Sequence, residues 1–104
     1  MLISTTENIA GKKISKVLGT VKGNTVRARW FGRDIAAGLK TIVGGEIGSY
    51  TKLLTDAREQ SIKRMTDQAK KLGADAVVSV RFVTSMIMQN ASEVLVYGTA
   101  VKLK

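Results

Sequence analysis

The chain contains no cysteine and no histidine. Without cysteine there is no disulfide, no thiolate nucleophile and no thiolate metal ligand. Without histidine the commonest general base and the commonest neutral metal ligand are missing as well. Together the two absences exclude Ser-His-Asp and Cys-His catalysis and zinc sites built from Cys and His. Proline is also absent, which removes cis-prolyl turns and proline-rich linkers. Aromatic residues make up only 5%. Long apolar runs are missing too: Val94-Leu95-Val96-Tyr97 falls far short of the ~20 residues a membrane-spanning helix needs. The first residues, Met1 to Glu7, carry neither a basic segment nor a long apolar one, so no signal peptide is read there. The expectation is a cytoplasmic protein with no membrane partner. Nothing in the chain calls for a cofactor.

Acidic residues are scarce. Eight Asp and Glu stand against 17 Lys and Arg, for a net charge of +9, and none falls between Asn8 and Arg33. That stretch holds Lys12, Lys13, Lys16, Arg27, Arg29 and Arg33, the candidate contacts if the chain binds nucleic acid, since basic side chains on phosphates release counterions. The plain alternative is a solvated face that keeps an oligomer soluble. Trp30 and Phe31 lie among these arginines, the mixture that single strands favour. Trp30, however, alternates with Arg29 and is expected to face inward.

What is present describes one domain over residues 1–104, with 44% hydrophobic and 24% charged residues, an ordinary globular mix. A short strand is expected at Leu2 to Ser4. Lys13 to Lys22 reads as a strand, Gly23-Asn24 as a hairpin turn, and Thr25 to Trp30 as the return strand. In that return strand Val26, Ala28 and Trp30 are expected inside and Arg27 and Arg29 outside, by the alternation of a pleated strand. Ile35, Leu39 and Ile42 form the stripe of a short helix entered at Gly32 and Asp34 and ended by Gly44-Gly45. A long helix follows from about Tyr50 to Leu72, with Leu54, Ala57, Ser61, Met65, Ala69 and Leu72 as its inner stripe and Gly73 as its stop. Glu59 with Lys63 and Asp67 with Lys71 are its expected ion pairs. Strands at Ala76 to Thr84 and Val94 to Leu103 are apolar on both faces, with Val78, Val80 and Phe82 expected to share one side. Strands of that kind are covered on both faces. One helix covers one side, so a neighbouring subunit is expected on the other. The apolar link Ser85 to Ala91 either extends these strands into a long hairpin or meets a partner.

Gly44-Gly45-Glu46 with Tyr50, Ala57-Arg58, Arg64-Met65, Gly73-Ala74-Asp75-Ala76-Val77-Val78, Gly98-Thr99-Ala100-Val101 and Arg33-Asp34-Ile35 together resemble the YbjQ-like proteins of bacteria, over nearly the whole chain. The resemblance implies a small α+β fold, an antiparallel sheet with the long helix across it, assembled into a ring of five subunits. It implies no particular activity, but it carries a description as heavy-metal-binding. With neither Cys nor His, the ligands left for a metal are oxygens such as Glu46, Asp75, Asp34 and Glu59, which suit hard cations rather than soft ones.

Glu46, Tyr50, Arg58, Arg64 and Asp75 are the candidate ligand or interface residues. Glu46 is read either as a carboxylate presented at a pocket or seam, paired with Arg33, Arg58 or Arg64, or as a helix-joint residue satisfying backbone N–H groups. Gly44 to Ser49 resembles a phosphate-cradling loop only loosely, because it follows a helix and lacks the Lys-Ser/Thr pair. No substrate, nucleophile or reaction class emerges. The expectation is a non-enzymatic homo-oligomer that binds a small ligand or hard cation, with a nucleic-acid-binding module as the alternative.

Overall fold

The computed structural model describes residues 1–28 and 46–104, with the stretch 46–50 described by its backbone alone. Its elements are β1 (Leu2–Ile3), β2 (Ile14–Ala28), α1 (Glu46–Lys71), β3 (Ala76–Met88) and β4 (Ala91–Leu103). The four strands form one sheet in the order β1-β3-β4-β2. β3–β4 and β4–β2 are antiparallel, while β1 joins β3 in parallel. This is an α+β fold, a mixed sheet packed against one long helix. The expected short helix around Ile35, Leu39 and Ile42, its glycine boundaries and the facing of Trp30 lie outside the described residues.

The inner stripe of α1 is made of small residues and one methionine. Ala57, Ser61, Met65 and Ala69 are fully buried, whereas Leu54 is half-buried and Leu72 exposed. Small side chains let the helix lie close to the sheet, and its main core joins Met65 and Ala69 to Val21, Val77, Val80, Val96 and Ala100. The helix stops as its sequence requires. Gly73 sits at φ 81°, its N–H bonds Lys70 O, and Ala74 N–H bonds Ala69 O, the paired bonds of a Schellman cap. At the other end the helix begins at Glu46, one turn before the expected Tyr50. On its surface Lys63 pairs with Asp67 at 2.9 Å, the partner one turn on rather than the expected Glu59 one turn back.

The structure corrects the sequence reading first at β2. Gly23-Asn24 is not a turn. β2 runs unbroken from Ile14 to Ala28 and pairs with β4 throughout, Gly23 opposite Val96 and Asn24 opposite Leu95. Gly23 is there because the helix backbone lies on top of it: a Cβ at this position would run into Ser61 O and come within 2.5 Å of Met65 N. The expected facing of the strand is also inverted. Val21, Gly23 and Thr25 are buried beneath the helix and Arg27 is half-buried in the same row, while Val26 is 53% exposed on the opposite face.

The second correction concerns β3. Ser79 takes φ 54°, and the register slips between Val78 opposite Thr99 and Arg81 opposite Tyr97. The extra residue of this bulge changes which side chains face the helix. Val77 and Val80 share the helix-side core, while Val78 lies on the far side with Ala76 and Val101. Val78 and Val80 therefore do not share a face. The link Ser85 to Ala91 does extend the hairpin, which turns at Gln89-Asn90 with Asn90 at φ 65°.

The face away from the helix is partly covered by the chain itself. Since β1 borders β3 and β2 lies at the opposite edge, the connection between them must cross that face. On it Ile9 packs with Ile14 and Leu103 against Ala76, Val78 and Val101, a second small core. This corrects the expectation that a neighbouring subunit must cover the whole far face. Among the described residues, those left exposed on this face lie toward the hairpin end, at Val83, Tyr97 and Val26.

Candidate functional site

The candidate residues do not converge. Glu46 opens α1 and Asp75 follows its last turn, so the two carboxylates lie at opposite ends of a 26-residue helix, roughly 37 Å apart at 1.5 Å per residue. The side chains of Glu46 and Tyr50 fall outside the described residues. Arg58 is exposed on the helix surface. Arg64 reaches across to the sheet, where its Nη1 donates to Asn24 O at 2.6 Å. One turn on, Gln68 Oε1 accepts the N–H of Lys22 at 2.7 Å. These two side chains satisfy backbone groups on the outer edge of β2, which pairs with no other described strand, a site that unpaired edge strands leave open to other chains. Asp75 is likewise engaged within the fold, accepting Leu103 N–H at 2.8 Å and lying 3.6 Å from Lys102 Nζ.

The basic residues separate into two groups. Lys12, Lys13 and Lys16 are exposed at the start of β2. Arg27 stands eleven residues beyond Lys16 on the same strand, about 36 Å away at 3.3 Å per residue. It is half-buried under the helix, where its Nη2 donates to Gln60 Oε1 at 2.5 Å and its Nε is buried without an acceptor among the described residues. Arg27 therefore does not belong to an outer basic face. Arg29 and Arg33 lie outside the described residues. Sequence reasoning missed Lys102 and Lys104, which β4 brings beside the N-terminal lysines: Lys16 stands opposite Lys102, and Lys104 N–H bonds Lys13 O at 2.8 Å. The signal is present in the sequence as a basic C-terminus, but only the strand pairing shows which lysines it joins.

The buried polar groups serve packing. The Ser61 hydroxyl lies 2.9 Å from Thr25 Oγ1 and donates to Val94 O at 3.0 Å, tying the helix to both β2 and β4. Among the described residues Asp67 has a displaced pKa: the hydrogen bond from Lys63 holds its carboxyl below the ordinary value, and the charges of Lys63, Lys70 and Lys71 add to this. Among the described residues no group of three or more His, Cys, Asp or Glu comes together, and no helix is long and apolar enough to cross a membrane.

The described residues form one long helix on a mixed sheet, with Arg64, Gln68 and Asp75 engaged in holding the fold. The chain belongs to the YbjQ family, described as "Putative heavy-metal-binding", which matches residues 1–104. Among its relatives are UPF0145 proteins of Methanosarcina acetivorans, 55% identical over 99% of this chain and 97% of that one, and of Thermosipho melanesiensis, 59% identical over 99% and 95%. A third, from Colwellia psychrerythraea, is 59% identical over 100% and 99%. A crystal structure from Pediococcus pentosaceus, of a protein with unknown function in the DUF74 family, shares the fold with a TM-score of 0.61 and 18% identity, covering 100% of this chain and 98% of that one.

The donor set does not fit a heavy metal. Thiolate and imidazole are absent from the whole chain, and the Met65 thioether is sealed in the core. The described carboxylates are scattered, and Asp75 and Asp67 are already held by Lys102 and Lys63. Thiophilic metals find no preferred ligands here beyond exposed methionines.

Proposed function

We propose that this protein is a non-enzymatic homo-oligomer that closes into a ring, with five subunits as the family resemblance implies. The observation that carries the reading is the outer half of β3. The N-terminal segment lines the edge of β3 as far as its bulge, with Ser4 N–H bonding Val77 O and Val80 N–H bonding Ser4 O. Beyond Arg81 no described strand continues along that edge. There Phe82, Val83, Met86, Ile87 and Met88 are all exposed, Met86 by 76%. An apolar strand edge without charge or proline is a template for another chain, and stable proteins cover such edges.

The overall dimensions support the same reading. The radius of gyration is 17.3 Å, against about 13 Å for a compact globule of this length. Such an elongated subunit leaves the β3 arm of its hairpin exposed and gains by burying it against a copy. The candidate carboxylates and arginines are spread over both ends of the helix, so a small ligand or hard cation would be held at seams between subunits rather than inside one.

Sedimentation equilibrium tests the assembly. The expected mass at micromolar concentration is a multiple of 11.2 kDa, and Met86→Lys is expected to release folded monomer, since a lysine on a strand edge opposes pairing. A well-folded wild-type monomer at that concentration would overturn the proposal.

A further inference from the structure

The fold gathers lysines at one end that the sequence keeps apart. Lys12 and Lys13 precede β2, Lys16 lies near its start, Lys102 falls near the end of β4 and Lys104 just beyond it. The ladder sets Lys16 opposite Lys102, and residues so paired stand about 5 Å apart at Cβ, where like charges repel. Helix α1 ends at this same pole. Asp75 N–H, just past its cap, bonds Val101 O, which brings Lys70 and Lys71 of the last helical turn to the sheet end. Asp75 is the carboxylate seated among them, and it faces Lys102. Asp67, the next one back along the helix, is occupied by Lys63.

We infer that this pole is a binding face for the phosphate backbone of duplex nucleic acid. Its lysines are exposed, apart from the half-exposed Lys102, so they reach a polyanion without any rearrangement of the core. The like-charge pairing across the β2–β4 ladder is relieved when a phosphate lies between the ammonium groups. The pole carries no aromatic side chain among the described residues: Phe82 and Tyr97 sit toward the hairpin end of the sheet. Stacking on single-stranded bases needs such a platform, and base-edge readout favours the forked guanidinium over the point charge of lysine. The chemistry therefore fits phosphate contacts on a duplex, independent of base sequence. The residues used are not those a basic N-terminal strand would offer on its own, because Arg27 is turned under the helix and Lys102 and Lys104 take its place.

This face needs no neighbouring subunit, since a monomer carries the whole pole. Fluorescence anisotropy with a mixed-sequence duplex of about 20 base pairs, at roughly 50 mM and 200 mM salt, tests it. Three or four phosphate contacts give a log–log salt slope of about −3 to −4, at ~0.9 per neutralised phosphate. The variant combining Lys12→Gln, Lys13→Gln, Lys16→Gln and Lys104→Gln is expected to bind at least tenfold more weakly, with an unchanged circular dichroism spectrum. The variant combining Lys22→Gln and Lys52→Gln, both exposed and away from this pole, is expected to bind like wild type. Any of three results overturns the inference: no binding at the lower salt, equal loss from both variants, or tighter binding to phosphatidylserine vesicles than to the duplex. A single-stranded oligonucleotide bound more tightly than the duplex would also refute it.

Discussion

Replacing Gly23 by alanine adds one methyl group at the closest approach of helix and sheet. The new Cβ would overlap Ser61 O and lie 2.5 Å from Met65 N, where ordinary contact begins at 3.4 Å. Both obstacles are backbone atoms of α1, so no rotamer change relieves them and the helix must retreat from β2 by about 1 Å. Overpacking of this kind costs about 1–3 kcal/mol. The retreat also stretches the bonds that the buried Ser61 hydroxyl makes to Thr25 and Val94 O, now 2.9 and 3.0 Å, and strained buried bonds cost about 1–3 kcal/mol more. Gly23→Ala should therefore lose about 2–6 kcal/mol, out of the roughly 5–15 kcal/mol typical of a domain. Urea unfolding followed by circular dichroism reads this as a fall in midpoint at constant slope. Asn24→Ala is the companion, expected to cost under about 0.5 kcal/mol because its side chain reaches only Glu93 on the exposed face. A cost below about 1 kcal/mol for Gly23→Ala would refute the close approach. Equal losses at both positions would instead be the mark of a Gly-Asn turn.

Three further outcomes are expected. Ser61→Ala should cost about 1–3 kcal/mol in thermal unfolding, and a neutral result would mean that the hydroxyl does not tie the helix to both strands. Lys63→Met should raise the Asp67 pKa toward the ordinary carboxylate value by NMR titration, because the Lys63 hydrogen bond is the first cause of its depression. With the folded value below the unfolded one, this contribution to stability is present above the unfolded pKa and fades as pH falls through the folded value. An unmoved Asp67 would assign the depression to Lys70 and Lys71 instead. Calorimetric titration with zinc or copper(II) should give no heat at micromolar protein, and tight zinc binding would refute the donor argument.

The long helix, its glycine stop and the two final strands are legible in the sequence because each rests on local periodicity or on one residue type with one use. Gly73 is such a case. Gly23 is the opposite: its neighbour Asn24 supplies a turn signal, and the competing reason for a glycine, a helix backbone lying on it, comes from residues some forty positions away. The bulge at Ser79 is invisible for a related reason. A serine in the left-handed region carries no sequence mark, yet it reverses the facing of everything after it, including Phe82. The basic pole is hidden from a count of charge along the chain, because β4 folds Lys102 and Lys104 back beside Lys13 and Lys16. The candidate site is the least legible part. Glu46, Arg64 and Asp75 stand out in the sequence for their chemistry, and the fold employs Arg64 and Asp75 as struts.

Arg64 and Gln68, reaching from the helix to the backbone of β2, give the sheet a direction of growth. One border is stoppered near its middle by the protein's own side chains, while the other, beyond Arg81 of β3, pairs with no strand among the described residues. Ribbon-like growth, one border against the other, is hindered there, because Lys22 N–H and Asn24 O are already bonded by Gln68 and Arg64. A neighbour on β3 of the kind proposed above would be met more readily by some other surface, which disfavours ribbon-like growth at its first step.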